Sequence, residues 1–238
     1  MGKLADPLMK KDSRRFLAAY VDVVTNLRIF DLCGFPKDGY WHHRAMWSAE
    51  PILHLMPHWN QSRKEVKVWA LTNVEEVELF LNGNYLGSRK ISRGGHGEWI
   101  VPYSPGTVRA TGWIGGKKVA DISFQTTGPV KSLLLDPDRN RMAADGRDAV
   151  PVRISVTDSQ GRVVPTACVP IRLKVSGPAR IVGLGNGDPA SNDRKIGSRV
   201  KSFNGYCMVI LQSTGKRGRI TLTAGMSGAK TTAAIKAG

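Results

Sequence analysis

Residues 66–87 read VKVWALTNVEEVELFLNGNYLG, and the reading of this stretch decides the fold. In its first half Val66, Val68 and Ala70 alternate with Lys67, Trp69 and Leu71. A period of two places one set on each face of a strand. The second half repeats the alternation and then meets Asn82-Gly83, a dipeptide suited to a two-residue hairpin because both positions tolerate positive φ. A chain that alternates, turns tightly and alternates again predicts an antiparallel sheet.

Downstream, residues 98–126 (EWIVPYSPGTVRATGWIGGKKVADISFQT) predict three more short strands, with Gly115-Gly116 as a second hairpin turn. Gly128-Pro129 reads as a linker, after which the pattern restarts. Residues 131–177, then ARIVGLGNGDP, KSFNGYCMVILQST and RGRITLTAGMSG, hold about seven strands parted by DG and QG turns, the usual content of an immunoglobulin-like sandwich. The two β-modules show no repeat between them. The expected organisation is therefore residues 1–60 as a helical segment with a connector, 61–128 as one antiparallel sandwich and 129–238 as a second.

Upstream, residues 31–60 read DLCGFPKDGYWHHRAMWSAEPILHLMPHWN. Gly34 and Pro36 mark a turn, and Asp38 is placed to cap a helix through Tyr40, His43 and Met46. Tyr40, Trp41, Met46 and Trp47 give that helix an adhesive face, and Pro51–Asn60 reads as an extended connector. Before it, Phe16, Leu17, Tyr20, Val21, Val24 and Leu27 have helical spacing, with Ser13 as a cap. Asp22 interrupts the apolar run FLAAYVDVV, so no signal peptide is expected in these first 30 residues.

Composition is that of an ordinary globular chain: 238 residues, 41% hydrophobic and 23% charged. No apolar run approaches the ~18 residues of a membrane-spanning helix. The net charge of +16 is unevenly placed, with eighteen Lys/Arg against seven Asp/Glu after residue 127. The cations there fall singly along strands, as at Arg153, Arg162, Arg172, Lys174 and Arg180. No basic run, zinc-finger spacing or RNA-recognition signature accompanies them, so a solvated basic face is favoured over a nucleic-acid patch or a surface for acidic glycans. Cys33, Cys168 and Cys207 form no CxxC pair and read as small buried side chains.

Several residues invite chemistry and read more simply as structure. His42 and His43 are adjacent and point to different sides of a helix, so with His54 and His58 they make a poor metal site. GLGNGDP at 183–189 lacks the lysine and helix of a phosphate loop, and Asp188 and Asp193 lack calcium-loop spacing. No metal and no cofactor is expected. Asn60-Gln61-Ser62 is formally a glycosylation sequon. Trp59, with His58 and Asn60, is a candidate carbohydrate-contacting rim, because an aromatic ring stacks on sugar faces while Asn and His bond hydroxyls; an aromatic wedge between domains is the competing reading.

Taken in order, DLCGFPKD, HWN, VELFLNG, LDPDRNRMAADGRDAVPVRISVTDSQGRVVP and SGPARIVGLGNGDP resemble the C-terminal part of glycoside hydrolase family 2, in particular its bacterial β-galactosidase-like branch. The resemblance covers about residues 26–238. It implies that the segment before residue 60 is the exit of a (β/α)8 catalytic barrel and that the β-modules follow that barrel. It also implies that Tyr40, Trp41 and Trp47 face the barrel; it leaves the location unknown, with a periplasmic or secreted parent as one option.

Family 2 enzymes are retaining glycosidases, whose acid/base and nucleophile are two carboxyls about 5 Å apart. Glu50, Glu65, Glu75, Glu76, Glu78 and Glu98 match no such motif. The chain is accordingly expected to be a non-catalytic brace of a glycosidase. Its partners would be the barrel and carbohydrate, and the uncovered aromatic helix would either drive self-association or be covered by residues 1–30 folding back. A stand-alone adhesion or carbohydrate-binding protein with immunoglobulin-like modules is the rival reading.

Overall fold

A computed structural model describes residues 29–238; the helix expected over residues 13–27 lies outside them. One helix, α1 (Asp38–Trp47), precedes β1 (Leu53–Met56), β2 (Glu65–Thr72), β3 (Glu76–Leu81), β4 (Asn84–Lys90), β5 (His96–Pro102), β6 (Thr107–Ile114) and β7 (Lys117–Gln125). There follow β8 (Ser132–Pro137), β9 (Arg141–Met142), β10 (Ala149–Thr157), β11 (Pro170–Ser176), β12 (Ala179–Gly185), β13 (Arg199–Lys201), β14 (Tyr206–Ser213), β15 (Gly218–Met226) and β16 (Ala229–Ala237). The protein is mostly β, as the alternation predicts.

The first sandwich faces a β1-β2-β5 sheet against a β4-β3-β6-β7 sheet. Val66, Val68 and Ala70 point into its core, with Val77, Leu79, Leu81, Trp99 and Val101. Asn82 and Gly83 take φ of 51° and 85°, as a type I′ hairpin requires. The second sandwich faces β12-β14-β10-β8 against β13-β11-β15-β16-β9. Its core is aliphatic, built from alternate residues such as Val150, Val152, Ile154, Val209, Leu211, Ile220 and Leu222. The chain's last strand, β16, pairs with the whole of β15.

Two local expectations change. Pro51–Asn60 is not a bare connector: Leu53–Met56 pairs antiparallel with Thr72–Trp69 and forms an edge strand of the first sandwich. Asp38 is the first residue of α1 and not its cap; Lys37 holds the N-cap position without a side-chain bond. A carboxylate in the first turn still favours the helix through its dipole, but its hydrogen bond goes elsewhere.

Candidate functional site

Residues 31–60 carry the resemblance to a barrel exit, and together with Ile29 and Phe30 they touch both sandwiches. The first contact is a turn. The Lys37 amide donates to the Ile29 carbonyl (3.0 Å), and Phe30 and Pro36 pair as an isolated bridge. Inside it, Asp31 Oδ1 accepts the amides of Cys33 (2.7 Å) and Phe35 (2.9 Å). This turn seats on the second sandwich. The Phe35 ring lies 5.4 Å from that of Tyr206. A Cβ on Gly185 would fall 2.6 Å from Cys33 Sγ, and one on Gly187 would fall 1.9 Å from Asp31 Oδ2. Gly187 also has φ of +77°, so no other residue fits there without moving the turn. The GLGNGDP stretch, whose glycines favour a turn, is instead the end of β12 through Gly185 with the irregular segment after it, and it forms a cradle. Burial, then the neighbouring Asp31 charge, pushes the Cys33 thiol up, the state of a packing sulfur and not of a nucleophile.

The second contact is α1, which packs on β1 and β2. Asp38 Oδ1 meets His54 Nε2 at 2.9 Å. Trp41 stacks on the same imidazole at 5.0 Å and 10°. Tyr40 sits between Phe30 (5.0 Å) and Trp41 (5.2 Å). The Asn73 amide closes the turn after the helix: Oδ1 accepts from the Ile52 amide (2.8 Å) and Nδ2 donates to the carbonyls of Ser48 (3.1 Å) and Glu50 (2.9 Å). Tyr40 and Trp41 are therefore half-buried within the chain, whereas Trp47 is 78% exposed. Leu32, at 63%, is also uncovered.

The candidate rim does not hold as a unit. Trp59 is 1% exposed, its Nε1 donates to the Ser104 carbonyl (3.0 Å) and its ring packs on Tyr103. No face of that ring is left for a sugar. Asn60 is a strap: its Nδ2 donates to Thr127 Oγ1 (2.8 Å) and its Oδ1 accepts the Thr127 amide (3.0 Å). His58 alone is exposed, with Nδ1 accepting the Asn60 amide (3.2 Å). Partial desolvation holds its imidazole below the usual histidine range.

Asn60 leads to a group that sequence reasoning missed. Asp158 is 1% exposed. Its carboxylate accepts the Gly128 amide (3.0 Å), the amides of Gln160 (2.9 Å) and Arg162 (3.0 Å), and the Arg162 guanidinium (2.7 Å). Arg162 Nη1 reaches on to Gln125 Oε1 (2.9 Å). Burial alone would raise the Asp158 carboxyl; the Arg162 guanidinium and these amides outweigh it and hold it well below the usual carboxylate range. The Gly128-Pro129 linker is thus clasped from both sides. An Asp followed by Gly and then Arg four residues on is the available signal, but it reads as an ordinary turn.

Three of the glutamates are engaged in local hydrogen bonds. Glu78 Oε2 accepts Trp113 Nε1 (3.0 Å), and Glu75 Oε2 accepts the Gly115 amide (2.7 Å), on the outer face of the first sandwich. Glu98 is held below its usual range, first by the hydrogen bond from Lys67. That is opposite to what a general acid needs. Among the described residues no group of three His, Cys, Asp or Glu side chains is arranged to hold a metal.

Fold and site together define a region of paired β-sandwiches mounted behind a short bridging segment. Residues 133–234 match glycoside hydrolase family 2 C-terminal domain 5, and residues 63–120 match a domain of unknown function (DUF4982). Beta-galactosidase BoGH2A of Bacteroides ovatus is 39% identical over 84% of this chain and 24% of its own length. A putative beta-glucuronidase of Formosa agariphila is 33% identical over 67% and 16%. A beta-glycosidase from Bacteroides vulgatus superposes with a TM-score of 0.84 at 33% identity, over 87% of this chain and 27% of that one. A family 2 member from Bacteroides cellulosilyticus superposes at 0.85 with 25% identity, over 90% and 32%. The chain belongs to glycoside hydrolase family 2, of which it represents the C-terminal region. It spans about a quarter or less of the curated relatives named here.

Proposed function

We propose that this region is a non-catalytic brace. It holds residues 29–60 rigidly against two sandwiches, so that their outer side can seat a (β/α)8 catalytic barrel acting on a β-linked galactoside or glucuronide. One observation carries the reading: the bridging segment is anchored on both sandwiches, yet leaves Leu32 and Trp47 uncovered. Burying a large apolar side chain is worth roughly 1.5–3 kcal/mol, so such residues favour being covered. An adhesin has no use for a doubly anchored segment whose apolar side faces solvent.

Two measurements test it. The 238-residue chain should hydrolyse nitrophenyl β-galactoside and nitrophenyl β-glucuronide no faster than buffer. Turnover that disappears on one Glu→Gln change would overturn the reading. Sedimentation should show concentration-dependent self-association that Leu32→Ser with Trp47→Ser abolishes. A monomer at all concentrations would remove the case for a barrel-facing side.

A further inference from the structure

The five-stranded sheet of the second sandwich has an outward face unlike any other surface of the described chain. Register fixes what stands on it. Arg199 on β13 is opposite Arg172 on β11, which is opposite Gly225 on β15, itself opposite Lys230 on β16. The next row runs Lys174, Thr223, Thr232. A further row places Arg219, Lys236 and Arg141 side by side on β15, β16 and β9. Lys201 completes the set, and all eight cations are exposed, because alternate residues of each strand (Ile171, Leu173, Val200, Ile220, Leu222) fill the core. The five strands contain no Asp or Glu. None of the eight cations takes part in a salt bridge among the described residues.

The opposite sheet is arranged otherwise. There Arg153 pairs with Asp136, and Arg180 is bonded to Gln212. Like charges directly opposite on neighbouring strands destabilise a sheet. Arg172 beside Arg199, and Arg219 beside Lys236 beside Arg141, therefore cost stability that the rest of the module does not give away. A shallow open groove of about 890 Å³ runs over Arg172, Lys174, Arg199 and Lys230.

We infer that this face is a docking surface for an anionic polysaccharide, with the cations pairing carboxylates and the threonines between them bonding sugar hydroxyls. Thr223 and Thr232 beside Lys174, and Thr221 between that row and the next, supply neutral donors and acceptors. No Phe, Tyr or Trp occurs in the five strands, so the stacking platform that single-stranded nucleic acid uses is missing. A flat sheet face also presents no helix or ribbon to a duplex groove. The inference stands apart from the bracing role, because this sheet does not contain the cradle of residues 185–187 or the clasp at Gly128.

The test is affinity electrophoresis of the 238-residue chain through polygalacturonate, with neutral dextran, a single-stranded and a duplex DNA oligonucleotide as comparisons. The variant R172S/K174S/R199S/K230S is run beside a control, R63S/K64S/R93S/K117S, that loses the same charge from the first sandwich. Both are checked for folding by thermal melting, and replacing outward side chains on this sheet removes repulsion without touching the core. Polygalacturonate should retard the wild type and dextran should not. The sheet variant should bind about tenfold more weakly at low salt, since four counterion-releasing contacts are lost, while the control stays within about threefold. Equal loss in both variants would show net charge alone at work and overturn the proposal. So would no retardation at all, or tighter binding of either DNA with loss confined to the sheet variant, which would make the face a nucleic-acid surface.

Discussion

The two sandwiches solve one problem with different materials. The first has two tryptophans, Trp59 and Trp99, in its core, and packs Tyr103 and Phe124 against that core. The second has aliphatic side chains, one methionine and one cysteine among its buried apolar residues, and no aromatic ring. The first balances its surface locally, as in Lys67 with Glu98, and Arg109 and Lys118 with Asp121, whose carboxyl is held down at about 2, chiefly by Arg109. The second segregates its charge by sheet. The difference teaches where specificity resides: large aromatics make the first module depend on a few side chains, whereas the second spreads its stability and frees its surface for charge.

The sharpest way to break this contrast is to truncate one core residue in each. Trp59→Ala should cost about 3–5 kcal/mol and Leu211→Ala about 2–5. Calorimetry should place the Trp59 loss in the first module's transition. A uniform shift of one transition in both variants would show a single cooperative unit instead.

The next effect concerns the cradle. Gly187→Ala puts a methyl into Asp31 and strains a positive φ, at about 1–3 kcal/mol. Its specific sign should be faster reaction of Cys33 with a thiol reagent, read against Cys33→Ser; unchanged reactivity would mean that the turn stays seated.

Acid should then part the modules by their clasp. Asp158 is depressed when folded, so its contribution is present above the ordinary carboxylate pKa of about 3.9 and fades as pH falls towards the folded value. Asp158→Asn should lower the melting temperature at pH 7 and flatten its fall between about pH 5 and 2. An unaltered pH profile would discard the clasp as a stabilising element.

The smallest effect sharpens the comparison from outside. Trp47→Ser should change stability by no more than about 0.5 kcal/mol, because the side chain is exposed, while weakening self-association in sedimentation.

Much of this architecture is legible in the chain itself. A period of two announces β2, β3, β5 and β10 because each hides one face, and Asn82-Gly83 fixes its own hairpin by backbone preference. What escapes is whatever depends on distant neighbours. Strand β1 is four residues between Pro51 and Pro57, too short to show a period, and exists because β2 offers an edge. Strand β16, AKTTAAIKA, is poor in β-formers and is ordered by pairing with β15. Trp59 admits both a sugar-contacting rim and an aromatic wedge from sequence, because its cover, Tyr103 and Ser104, lies in another strand connection. The resemblance to a barrel exit singles out residues 31–60, but the cradle at Gly185 and Gly187 appears only when the chain returns to it. The cations at Arg172 and Lys174 were visible singly; their union into rows waited on register.

A strut pinned at one end swivels, and one pinned at two points has a heading. The turn at Asp31–Phe35 is pinned in the glycine cradle of one sandwich, and α1 is pinned through His54 on the other. The chain arriving at residue 29 is therefore aimed by both modules at once. A methyl group added at Gly185, far away in sequence, would act less as a local defect than as a steering error.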